Sequence, residues 1–87
     1  MERLEARSKI TATLLEIVRR RSPSITSVSD EQKLTSDLGL QSLDMAELVA
    51  VLEIEFGADP FLSQASIADV HTVGDLCKVY LNMTQPS

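Results

Sequence analysis

The stretch Asp37-Leu38-Gly39-Leu40-Gln41-Ser42-Leu43-Asp44-Met45-Ala46-Glu47-Leu48 decides how the rest of the chain is read. It is a short loop that becomes a helix. Gly39 suits a tight turn, because glycine accepts positive φ at little steric cost. Ser42 stands where an N-cap belongs, directly before an apolar pattern at helical spacing that runs from Leu43 to Phe56. Met45, Leu48, Val49, Leu52 and Phe56 recur at three- and four-residue intervals and define a core face. The opposite side carries a second line, Leu43, Glu47, Ala50 and Ile54, whose outward placement folding alone does not require. Gly57 offers a left-handed stop, and Asp59-Pro60 turns the chain.

Upstream, residues 2–20 read as a first helix with Leu4, Ile10, Leu14, Ile17 and Val18 along one face. Arg19-Arg20-Arg21 is most simply a favourable charge set at its C-terminus. Ser22-Pro23 stops it, since the residue before proline is pushed out of the α region. Residues 21–41 form a polar loop pinned by Ile25, Val28 and Leu34, with one helical turn expected at Asp30-Glu31-Gln32-Lys33.

Downstream, Phe61 and Leu62 are expected to fold back as core anchors. A short helix is expected over residues 63–70, capped by Ser63 or Ser66, with Ile67, Ala68 and Val70 facing inward. Thr72 and Asp75 have capping-box spacing and open a last helix over residues 73–83. That helix would bury Val73, Leu76, Cys77, Tyr80 and Met83, leaving residues 84–87 as a tail. No strand pattern, internal repeat or low-complexity tract interrupts this order. The expected fold class is all-α: one domain spanning residues 1–87, built as a small bundle of three main helices plus one short helix.

Composition narrows the function classes. The chain has 87 residues, enough for one small core, and 44% are apolar while only 3% are aromatic. Aliphatic side chains must fill the interior. A single cysteine, Cys77, excludes an intramolecular disulfide and a cysteine-rich metal site. No apolar run is long enough to span a bilayer, and the N-terminal residues lack a signal-peptide core, so a cytoplasmic protein without membrane insertion is expected. The net charge of −5 is unevenly spread: residues 1–21 hold six bases and three acids, whereas residues 22–87 hold two bases and ten acids. Phosphate would be repelled by most of the length, which disfavours nucleic-acid binding and favours basic partner surfaces.

Intrinsic catalysis finds little support. A hydrolase needs a nucleophile, a base and a group that orients the base. Ser42 is available, but the sole histidine, His71, reads as a loop residue, and Cys77 reads as a small core hydrophobe. Asp44, Glu47, Glu53 and Glu55 fall on several helix faces, which suits a solvated acidic surface better than a carboxylate pair or a metal site.

Asp37-Leu38-Gly39, Ser42, Leu43-Asp44 and Glu47-Leu48 resemble the Asp-Leu-Gly-x-x-Ser-Leu-Asp pattern of the acyl carrier protein family. An amphipathic first helix, a long Ser/Thr-bearing loop and a closing Thr-Val-Gly-Asp-Leu segment follow the family's order. The resemblance covers nearly the whole chain, although only the serine motif is specific. It implies an acyl-carrier-protein-like bundle in which the Ser42 hydroxyl accepts 4′-phosphopantetheine covalently from coenzyme A. The arm's terminal thiol would carry acyl groups as thioesters, and its phosphodiester would sit beside unpaired N–H groups at a helix N-terminus. Implied partners are a phosphopantetheinyl transferase, an acyl- or aminoacyl-loading ligase or transferase, and a ketosynthase or other acyl-processing enzymes. In the family they dock on the second helix; here Leu43, Asp44, Glu47, Ala50, Glu53, Ile54 and Glu55 would make that contact.

Two departures stand out. Gln41 replaces the aspartate that the family commonly places before the serine, leaving Ser42 to cap its own helix and slowing a transferase that reads the acid. Ile54 stands where fatty-acid-synthesis carriers usually place an acid, and with Ala50 it suggests a discrete carrier for a specialised fatty-acid, polyketide or aminoacyl pathway; a monomer is expected, though no residue specifies it. The competing reading is a non-catalytic helical interaction module, or degenerate carrier, in which Ser42 is only a cap. Ser42→Ala separates them: it abolishes carriage but leaves docking, at a cost of roughly 0.5–2 kcal/mol for the lost cap.

Overall fold

The computed structural model describes residues 3–57 and 67–84. Three α-helices and a short 3-10 turn make up its regular structure: α1, Arg3–Arg21; α2, Ser42–Phe56; the turn, Ile67–Asp69; and α3, Val73–Thr84. The described residues hold no strand beyond an isolated Lys33–Thr72 bridge. The all-helical architecture expected from apolar spacing is present.

The core is a single cluster. α1 contributes Ala6, Ile10, Leu14, Ile17 and Val18; α2 contributes Leu48 and Leu52; α3 contributes Val73, Leu76, Cys77, Tyr80 and Leu81. Leu34, Leu38 and Leu40 of the loop and Val70 close it. Met45 and Phe56 are half-buried against the cluster, as are the loop residues Ile25 and Val28. The Phe56 and Tyr80 rings meet at 5.2 Å between centroids, tilted by 40°, which suits aromatic quadrupoles. Each fully buried leucine contributes about 1.5–3 kcal/mol.

Several expectations are corrected. Leu4 is 81% exposed. At 100° per residue it lies roughly a third of a turn from the line through Ile10, Leu14 and Ile17, and Ala6 takes the buried place. α1 also runs to Arg21, one residue beyond the expected end. Asp30 to Lys33 form a turn rather than a helical one, because their backbone groups bond outward. The Gln32 and Asp30 carbonyls accept from the Val73 and Gly74 N–H groups, each at 3.0 Å, and the Leu34 N–H donates to the His71 carbonyl at 2.9 Å. Those three bonds stitch the loop to the start of α3.

Of the short helix expected over residues 63–70, the described part holds the 3-10 turn Ile67–Asp69, with Val70 buried as expected and Ala68 exposed rather than inward. Phe61, Leu62 and the two candidate caps lie outside the described residues, as does the Ile67 side chain. The Thr72–Asp75 capping box is formed: the Asp75 N–H donates to Thr72 Oγ1 and the Thr72 N–H donates to Asp75 Oδ2, both at 3.1 Å. α3 continues through Thr84, so the tail begins later than expected. Gly57 ends α2 at φ +74°, and its N–H donates to the Glu53 carbonyl at 2.8 Å.

Candidate functional site at the start of the second helix

Asp37-Leu38-Gly39 is a structural clasp. The Lys33 N–H donates to Asp37 Oδ2 at 2.7 Å, Leu38 enters the core, and Gly39 turns the chain at φ +73°. The Gly39 N–H donates to the Thr35 carbonyl at 3.0 Å, and the Leu40 N–H to the Leu34 carbonyl at 3.0 Å. Burial of Leu38 and Leu40 on either side of that turn fixes where α2 begins.

The cap itself differs from expectation. Gln41, extended at φ −102° and ψ 172°, is the N-cap, and Ser42 is the first helical residue. The Asp44 side chain decides this register: Oδ2 accepts the Gln41 N–H at 2.8 Å, three residues back. The first helical bond then runs from the Met45 N–H to the Gln41 carbonyl, at 3.0 Å. Ser42 therefore does not cap its own helix. It is exposed, and the N–H groups of the first turn have no carbonyl one turn behind them.

Ser42 stands at the edge of a cleft of about 410 Å³. One wall is α2, through Met45 and Ala46; the other is formed by Leu34 and Thr35 of the loop with Val70 and His71. The loop-to-α3 stitching holds these walls in register. His71 shares this cleft with Ser42, a juxtaposition the sequence reading did not foresee. A catalytic relay does not follow. Asp75, which opens the first turn of α3, directs Oδ2 at the backbone N–H groups of His71 and Thr72. Those two bonds hold its carboxyl below the usual aspartate range. Among the described residues no three His, Cys, Asp or Glu side chains converge on a metal position. Cys77 is buried in the core, and burial pushes its thiol up.

The expected docking residues divide into two sets. Leu43 is 78% exposed and Ile54 82% exposed, with Ala50 and Glu53 also on the surface. Asp44, Glu47 and Glu55 are instead engaged by α1. Arg21 grips Asp44 at both oxygens, Nε to Oδ2 at 2.7 Å and Nη2 to Oδ1 at 3.2 Å. Arg20 grips Glu47 in the same forked way, and Lys9 Nζ meets Glu55 Oε2 at 3.1 Å. Their order, Lys9 with Glu55 but Arg20 with Glu47, shows that α1 and α2 run antiparallel. The contacts also depress the titrating acids: the Arg21 hydrogen bond and then the Gln41 N–H lower Asp44, and the Arg20 hydrogen bond lowers Glu47. The arginine triplet thus does more than complement its own helix end. Signs were present in the sequence, three bases near one helix end and two acids near another helix start, but only the antiparallel packing joins them.

Comparison with known proteins identifies the family. No family model matches the chain. It is 34% identical over 83 residues to an acyl carrier protein of Saccharopolyspora erythraea, covering 95% of this chain and 82% of that one. It is 41% identical over 51 residues to an acyl carrier protein of Thermotoga maritima, a match spanning 59% of this chain and 60% of that relative. Among solved structures it is similar to MacpD, an acyl carrier protein of Pseudomonas fluorescens involved in mupirocin biosynthesis. The TM-score is 0.75 at 28% identity, covering 98% of this chain and 76% of that one. The chain belongs to the acyl carrier protein family.

Proposed function

We propose that this chain is a non-catalytic cytoplasmic carrier that holds acyl intermediates on a 4′-phosphopantetheine arm joined to the Ser42 hydroxyl. The observation that carries the reading is the placement of Ser42: exposed, first in α2, framed by the Asp37–Gly39 clasp and opening onto a cleft of about 410 Å³. When bound, the arm supplies a thiol that carries acyl groups as thioesters, chemistry that Cys77, buried in the core, does not offer.

The residues present fit that group. Exposure gives a transferase access to Ser42 Oγ. The first-turn N–H groups and the positive end of the α2 dipole favour an anion at this hydroxyl. Arg21 offsets the charge of Asp44, two residues away, so the anion meets less repulsion than the bare sequence implies. Gln41 adds no charge on the other side. Leu34, Met45, Ala46 and Val70 give the cleft an apolar lining, with Thr35 and His71 at hand for polar contacts.

The pathway reading is a specialised one, polyketide-like by the similarity to MacpD, with loading and acyl-processing enzymes as partners. A fluorescent coenzyme A analogue with a broad-specificity phosphopantetheinyl transferase tests attachment. Label is expected on the natural chain and absent from Ser42→Ala; equal labelling of both would move the site elsewhere. Efficient turnover by housekeeping fatty-acid synthase components would contradict the specialised pathway.

A further inference from the structure

Ser42 and His71 stand on opposite walls of the cleft at the start of α2. On the α2 wall, Ser42, Met45 and Ala46 are spaced by three and four residues and share one helix face. Asp44 is two residues from Ser42, about 200° around the helix, so Arg21, which grips it, lies toward α1 and away from the cleft. No lysine or arginine lines the cleft among the described residues. His71 is the one lining side chain that can carry positive charge.

The His71 backbone is held from both sides. Its N–H donates to Asp75 Oδ2 at 3.1 Å, and its carbonyl accepts the Leu34 N–H at 2.9 Å. Asp75 Oδ2 is occupied by the backbone N–H groups of His71 and Thr72 and not by the ring. The imidazole is exposed and has no hydrogen-bond partner among the described residues. A ring fixed at its root and free at both nitrogens offers one N–H donor when neutral and two when protonated.

We infer that His71 donates a ring N–H to the phosphodiester of an arm joined at Ser42, so that both walls of the cleft hold the anion. The inference rests on the carrier reading above. Most of such an arm turns about its own single bonds, but the phosphodiester is bound to Ser42 Oγ and stays where Ser42 meets the cleft. It is also the arm's one permanent charge, and a charge-assisted hydrogen bond is roughly twice as strong as a neutral one. The first-turn N–H groups of α2 meet the anion from the helix side. His71 meets it from the wall that the loop and the start of α3 share. Gln41 brings no charge to the site, so the histidine supplies the positive side chain that the start of α2 lacks on this face.

The test uses the full chain, loaded from coenzyme A and shown complete by intact mass, in its natural form and as His71→Ala and His71→Gln. The hydrogen bonds at residue 71 are made by its backbone, so both variants are expected to keep the fold, which circular dichroism checks. His71 is the only histidine, and its ring protons are identified by difference against the variants. Nuclear Overhauser contacts are expected between that ring and the arm's methylene and methyl protons next to the phosphate. Loading is expected to slow amide exchange at Leu34, whose N–H is bonded to the His71 carbonyl, by about fivefold in the natural chain, the effect of one net hydrogen bond. His71→Ala is expected to lose that protection, and His71→Gln, which keeps a neutral N–H donor, to retain part of it. Absence of the ring-to-arm contacts would overturn the inference, as would equal protection in His71→Ala. Contacts confined to protons near the arm's thiol would overturn it too, by placing His71 against the far end. A chain that gains no mass is a different failure: it removes the carrier reading, and this inference with it.

Discussion

The Asp37 carboxylate accepts a 2.7 Å hydrogen bond from the Lys33 N–H, and that bond closes the turn that delivers the chain to Ser42. Leu34, at the start of the turn, and Leu38, at its end, are both in the core, so the loop is held by its side chains and latched by one carboxylate. Asp37→Ala is expected to lower stability by about 1 kcal/mol, the net worth of one such bond in a partly solvated place. Asp37→Asn keeps an acceptor and is expected to lose less. Urea unfolding of the three proteins checks both.

Ser42→Ala is expected to leave stability within about 0.5 kcal/mol of the natural chain. Gln41 occupies the N-cap, and alanine is a better helix former than serine at the first helical position. A loss of roughly 0.5–2 kcal/mol by thermal or urea unfolding would mean that Ser42 caps the helix after all. The outcome matters because it makes Ser42→Ala a folded control for every loading experiment.

Acid should destabilise the fold through a small set of carboxylates. Asp75, Asp44 and Glu47 are all held below their ordinary values of 3.8, 3.8 and 4.5. A depressed folded value means that the unfolded chain takes up protons first. The stabilisation is therefore fully present above the ordinary values and is lost as pH falls through the lower folded ones. Melting temperature is expected to be flat from neutral pH to about 5 and to fall below about 4. Asp75→Asn, which keeps an acceptor oxygen and removes the titration, is expected to flatten part of that fall.

Cys77 should behave as a core residue. It is 1% exposed, and burial raises its thiol, so little thiolate is present and little of it is reachable. Iodoacetamide is expected to label the native chain only as fast as it unfolds, and the denatured chain within the normal time for a free thiol. Rapid labelling of the native chain would contradict the packing of α3 against α1.

How far the sequence alone could be read follows from the range of each interaction. The core face of α2 was legible because Leu48 and Leu52 answer to a period that the helix itself imposes. The Thr72–Asp75 box and the Gly57 stop were legible because their partners lie within four residues. The cap of α2 was misplaced although its signal was equally local. Serine outranks glutamine as a cap, yet the Asp44 carboxylate reaches three residues back, to Gln41 rather than to the residue before it. Leu4 was misplaced because the short side chain of Ala6 takes the buried position that a larger residue was expected to fill. The rest was out of reach for a plainer reason. Arg20 and Glu47 are 27 residues apart, and Arg21 and Asp44 are 23 apart. The cleft, similarly, joins Ser42 to Leu34 on one side and His71 on the other. Only the packed helices bring such residues together, so the motif marked the serine while the fold disclosed its surroundings.

Attachment of the arm at Ser42 is the claim on which the rest depends, and intact mass measures it directly. The natural chain and Ser42→Ala, both shown to be folded, are incubated with coenzyme A, Mg²⁺ and a phosphopantetheinyl transferase. The natural chain is expected to gain the mass of one phosphopantetheine, and Ser42→Ala none. No gain by the natural chain, with transferases from its own organism included, would contradict the carrier account and leave a helical interaction module in its place.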